Sequence, residues 1–121
     1  MKTKSPDKKL QESIQKLTQA LKHEKKIHDD PVYFAGITKC FETCLEYAWK
    51  FMKREVTQQG YEAYSPREAI KLAGKIQLIE NVEKWLNFLE DRNLSVHDYL
   101  DIPEKTYLEL IKDFFKEVKK L

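Results

Sequence analysis

The sequence predicts an all-α protein, an antiparallel up-and-down bundle of about five helices joined by short loops. Three observations predict it. Apolar residues recur at alternating steps of three and four along five stretches, the spacing that puts them on one face of a helix. Helix-start residues precede those stretches, at Ser5-Pro6, Asp30-Pro31, Ser65-Pro66, Asn81 and Pro103. Finally, no run alternates with period two for long enough to be a strand.

Taken in order, Ser5 is expected to cap the first helix with Pro6 at its first position, and Leu10, Ile14, Leu17 and Leu21 form its stripe. "HEKKIH", His23 to His28, has one residue too many between its histidines for the HExxH zinc motif, and reads as a solvated helix end. Asp30-Pro31 opens a longer second helix whose inner face carries Phe34, Ile37, Phe41, Leu45, Ala48 and Met52 and which ends before Gly60. In "YSPREAIKLA", Ser65 and Glu68 form a capping box around Pro66, with Ala69, Leu72 and Ile76 inward. The fourth helix begins near Asn81 and points Val82, Trp85, Leu86 and Leu89 inward. Pro103 starts the fifth, with Tyr107, Leu108, Ile111, Phe115 and Val118 on one side.

The 121 residues fit a single domain, 1–121, with no repeat, linker or low-complexity tract, and are enough to bury a core without metal or disulfide. A net charge of +2 is too small to predict nucleic-acid or membrane binding by itself, so any RNA site is local. No apolar run approaches the roughly twenty residues that span a bilayer. The lysine-rich start has no apolar segment behind it and does not read as a signal peptide, so a cytoplasmic protein is expected. Cys40 and Cys44 lie one helical turn apart without further cysteine ligands, and read as small core residues, not as a metal or redox pair. No cofactor or metal is expected.

One stretch does not look like core building. "EDRNLSVHDYLD", residues 90 to 101, puts Arg92, Asn93, His97 and Tyr99 at the end of the fourth helix and in the turn after it. Cations at a helix C-terminus answer the helix dipole, which would explain Arg92 and His97 alone. Four chemically capable groups within eight residues ask for more. Arginine offers a planar fork of donors that suits a phosphate. Histidine exchanges a proton near neutral pH, and asparagine can orient either group. A phosphate held by arginine beside a base is the minimum needed to cleave RNA without metal, because RNA brings its own nucleophile in the 2′-hydroxyl.

"RNLSVHDY" resembles the R-x4-6-H motif of the HEPN superfamily and, in stricter form, the R-x4-H-x-Y motif of HepT toxins. "FETCLEYAWKFMK" from Phe41, "YSPREAI" from Tyr64 and "LIENVEKWLNFLEDRN" from Leu78 resemble the nucleotidyltransferase substrate-binding protein family, a HEPN branch, in the same order and spacing. The resemblance implies a helical bundle that forms a homodimer with the motif facing the dimer axis. It also implies a partner, a small nucleotidyltransferase encoded nearby that acts as antitoxin. By the same likeness Arg92 and His97 are the RNase residues, Asn93 supports them, and Tyr99 carries the hydroxyl that the partner modifies with AMP.

On an ideal helix, residues five apart differ by about 140° in azimuth, so Arg92 and His97 would not converge on one face. Either the helix loosens after Arg92, or a second subunit completes the site across a two-fold axis. The aromatics Tyr33, Phe34, Phe41, Tyr47, Trp49 and Phe51 point to more than one side of the second helix, which favours a dimer surface. Trp49 and Trp85 could stack on a base but read first as core or dimer packing, and Glu42, Glu46 and Lys50 are spaced for ion pairs on a solvated face. Two function classes result: a metal-independent endoribonuclease toxin acting on RNA, or a non-catalytic nucleotide- or substrate-binding subunit that partners a separate nucleotidyltransferase. The complete Arg, His and Tyr set favours the first.

Overall fold

A computed structural model describes residues 7–97 and 103–121; the side chains of 93–97 are outside the described set. Five α-helices follow one another: α1 (Lys8–Leu21), α2 (Pro31–Gln58), α3 (Pro66–Lys75), α4 (Val82–His97) and α5 (Glu104–Val118), with a short 3-10 turn at Glu24–Lys26. There is no strand among the described residues. The all-α antiparallel bundle is the architecture that the sequence predicts.

Helices α1 to α4 each start where a side chain satisfies an amide that the first turn leaves without a carbonyl partner, whereas α5 starts at Pro103 without a side-chain cap. Asp30 Oδ1 accepts from Val32 N–H at 3.0 Å, Ser65 Oγ from Glu68 N–H at 3.1 Å, and Asn81 Oδ1 from Lys84 N–H at 3.1 Å. The Glu68 carboxylate reaches back to the N–H of Tyr64 at 2.6 Å, one residue ahead of the cap. At α1 the cap is Asp7, whose Oδ1 accepts from Leu10 N–H at 2.8 Å; the expected Ser5 and Pro6 start lies outside the described residues. The other Asp7 oxygen pairs with Arg54 of α2 at 2.6 Å, so a contact from a distant helix reinforces this start.

The 28-residue α2 is the spine, and α1, α3, α5 and the 3-10 turn all pack on it. Ile37, Phe41, Leu45, Ala48 and Met52 are buried as expected, and Phe34 is half-buried against Tyr107. An aromatic cluster closes the bundle. Phe114 of α5 meets Phe41, Trp85 and Phe88 edge-to-face, with centroids 5.1, 5.6 and 5.5 Å apart. Here the fifth helix differs from expectation, because Phe114 is buried while Phe115 is half-exposed under Lys119. Likewise α3 buries Ala69, Ile70 and Ala73, leaving Leu72 and Ile76 half-buried.

Two close approaches set α4. A Cβ at Gly74 would overlap a methyl of Val82, so α3 and α4 meet there only because Gly74 has no side chain. Lys84 then ties α4 to α5 through Asp113 at 3.0 Å and Glu117 at 3.7 Å. No described helix is long and apolar enough to cross a membrane.

Candidate functional site

Trp85 and Phe88 are buried against α5, and they fix the rotation of α4. Arg92 comes seven residues after Trp85 and four after Phe88, so it continues the same inward column within about 40°. The result is a half-buried arginine at a position where the repeat asks for an apolar residue.

Arg92 lies between two adjoining depressions. One, of about 320 Å³, is walled by Trp49 and Glu46 of α2, by Ser65, Pro66 and Arg67 at the start of α3, and by Leu89 and Glu90. The other, of about 240 Å³, runs along α2 over Glu42, Glu46, Tyr47 and Lys50. Glu46 and Arg92 belong to both. Glu46 also pairs with Lys50 at 3.2 Å, the ion pair expected from their spacing.

The second helix's surplus of aromatics is now narrower. Phe41 and Phe51 are fully buried, and Tyr33 stands beside His23 with centroids 5.6 Å apart. Tyr47 and Trp49 remain half-exposed, and both flank Arg92. Trp85, by contrast, is core.

Helix α4 is unbroken from Arg92 through Asn93 to His97, so it does not loosen after Arg92. Positions 92 and 97 therefore stay about 140° apart round one axis. The side chains of Asn93 and His97, and all of Tyr99, lie outside the described residues.

The flanking acid Asp91 has its carboxyl raised above the usual range by burial and then by Glu90. Neither cysteine is poised as a nucleophile. Burial pushes the Cys44 thiol up to about 11, partly offset by the Ser13 hydroxyl beside it, and burial raises Cys40 against Lys16. Both are neutral packing groups near pH 7, in line with their reading as core. Arg67 escaped the sequence reading of the site, and Trp49 was read there as packing before base stacking, because only the fold brings them to Arg92.

The family described as nucleotidyltransferase substrate binding protein like matches residues 8–121. The chain belongs to that family. Among curated proteins it is 28% identical over 88 residues to a probable ribonuclease HepT of Haemophilus influenzae, a match covering 69% of this chain and 60% of that protein. Among solved structures it resembles the tri-AMPylated HEPN toxin of Shewanella oneidensis in complex with its MNT antitoxin. That likeness has a TM-score of 0.78 and 16% identity over 93% of this chain and 86% of the toxin. A mutant of the toxin–antitoxin pair MntA–HpeT gives a TM-score of 0.65 and 20% identity, over 93% of each chain. These two likenesses establish the fold, and the family match covers every described helix.

Proposed function

We propose that the chain is the toxin of a toxin–antitoxin pair, an endoribonuclease that needs no metal and is silenced by a small nucleotidyltransferase. The observation that carries this reading is Arg92. Its side chain is half-buried and lines a cleft, on the same unbroken helix that bears His97 five residues on. The name of the Haemophilus influenzae relative and those of the two structural neighbours support the same reading.

In the reaction, the 2′-hydroxyl oxygen bonds to phosphorus while the bond to the 5′-oxygen breaks, leaving a 2′,3′-cyclic phosphate and a 5′-hydroxyl. Neutral His97 takes the 2′ proton, and a protonated His97 from a second copy gives one to the leaving oxygen. Arg92 offsets the charge that builds on the non-bridging oxygens, and Asn93 orients these groups. Because one straight helix holds positions 92 and 97 about 140° apart, the site is built across a homodimer axis. Tyr47 then lies at or near the joint, while Trp49 stays in the wall of the cleft beside Arg92. Tyr99 is the switch: AMP on its hydroxyl brings a phosphate that pairs with Arg92 and takes the place of the RNA backbone.

The test uses purified intact chain. RNA cleavage should survive EDTA and give cyclic phosphate ends. His97→Ala and Arg92→Ala should each lower the rate by about 10²–10⁴. Light scattering should report about twice the 14.4 kDa chain mass. Co-expression with the neighbouring nucleotidyltransferase should add AMP to Tyr99, and Tyr99→Phe should resist it. Activity that requires Mg²⁺, or that persists in His97→Ala, overturns the reading. Nucleotide binding with RNA left intact would favour the second reading, a non-catalytic binding subunit, which the family description also supports.

A further inference from the structure

We propose that the larger depression beside Arg92 is a nucleotide subsite, which receives the base and phosphate of one unpaired RNA nucleotide next to the scissile bond. The inference rests on the ribonuclease reading for the identity of its ligand. Its volume, about 320 Å³, is at the lower end of the range for small-ligand sites and suits a single nucleotide.

The wall residues divide the work that a nucleotide needs done. Trp49 is left half-exposed by a bundle that buries Trp85 completely, and an indole at a cleft wall gives any base a surface to stack on. Arg67, exposed in the first turn of α3, lines the same cleft, and with Arg92 it supplies two guanidiniums for phosphate. Glu46 and Glu90 line the same cleft. Two carboxylates in the same lining as two guanidiniums make a poor trap for a bare anion. They suit a ligand that carries a phosphate at one end and N–H donors on a base edge at the other. Stacking on Trp49 requires a base free of its own neighbours, so single strands should be preferred over duplex.

The probe is a fluorescein-labelled twelve-nucleotide 2′-O-methyl RNA, which lacks the nucleophile and stays intact whatever the catalytic groups do. Its affinity for the full chain is read by anisotropy and its stacking by tryptophan quenching. Trp49→Ala and Arg67→Ala should each weaken binding by about 5- to 150-fold, the range for losing one stacked base or one comparable contact. Trp49→Phe should keep the fold by far-UV circular dichroism and abolish the quenching, and the same sequence as a duplex should bind more weakly. Unchanged affinity in both Trp49→Ala and Arg67→Ala, quenching that persists in Trp49→Phe, or no binding of the probe at all overturns the subsite. Ordinary RNA incubated with the same proteins separates the two readings. If it stays intact while binding depends on Trp49, the nuclease reading fails and the subsite stands. If it is cut while affinity ignores Trp49 and Arg67, the reverse holds.

Discussion

Phe114→Leu tests how α4 is held, and through it how Arg92 is aimed. Phe114 lies where α2, α4 and α5 meet, making edge-to-face pairs with Phe41, Trp85 and Phe88 at 5.1, 5.6 and 5.5 Å. Leucine keeps most of the buried aliphatic surface and loses the ring. Three such pairs at about 0.5–1.5 kcal/mol each predict a loss of about 1.5–4.5 kcal/mol. For a chain of this length that lowers Tm by about 4 °C per kcal/mol, a large share of a typical 5–15 kcal/mol stability. The control is next door. Phe115 is half-exposed with Lys119 Nζ 4.2 Å from its ring centroid, so Phe115→Leu should lose about 1 kcal/mol or less. Urea titrations of the two variants should show midpoints that differ while the m-values stay alike. If Phe115→Leu proves the more damaging, α5 is turned by one residue, and the packing that orients Trp85 and Phe88 is not the one described.

Three further outcomes follow from local geometry. Gly74→Ala should destabilise by about 1–2 kcal/mol despite alanine's better helix propensity, because the new methyl meets Val82, and Val82→Ala should relieve part of that loss in a double-mutant cycle. Gln77 has φ +64 at the end of α3, where Gln77 N–H donates to Gly74 and Leu78 N–H to Ala73, so Gln77→Gly should stabilise by about 0.5–1 kcal/mol in thermal melts. Because the Asp91 carboxyl is raised in the fold, the native chain binds its proton more tightly than the unfolded chain; its share of stability should fall as pH rises from about 4 towards the raised value, and melts of Asp91→Asn should lack that component.

The helices were legible because caps and apolar periodicity act over four residues or fewer. Asp30, Ser65 and Asn81 cap where the sequence places them, each bonding an amide two or three residues on. Contacts between helices were not legible in the same way. After Ile111, both a three-step to Phe114 and a four-step to Phe115 fit a helical stripe, and the choice is made by Trp85 and Phe88 on another helix. Phe88 itself is hidden between Trp85 and Leu89, which satisfy the pattern without it. Ser13 is buried within the first stripe because its hydroxyl donates to the Leu10 carbonyl at 2.8 Å, a bond that periodicity cannot show. The Arg92 end of the site was readable from its own segment. Its walls, Glu46, Trp49 and Arg67, are 25 or more positions away in the chain and required the fold.

The placement of Arg92 can itself be tested. The column through Trp85 and Phe88 calls for an apolar side chain at position 92, where the chain instead holds a half-buried arginine. Leucine there would forfeit the arginine's surface interactions, worth about 1 kcal/mol together with the dipole contribution, and regain a similar amount from burial. Arg92→Leu should therefore fold with a Tm within a few degrees of wild type. Its RNA cleavage should be lost, and its affinity for the uncleavable RNA should fall as in Arg67→Ala. Stability retained with function removed is the pattern expected of a residue kept for its ligand. If Arg92→Leu unfolds the chain, the guanidinium is a structural tie between α4 and its neighbours, and the case for a phosphate at that position loses its main support.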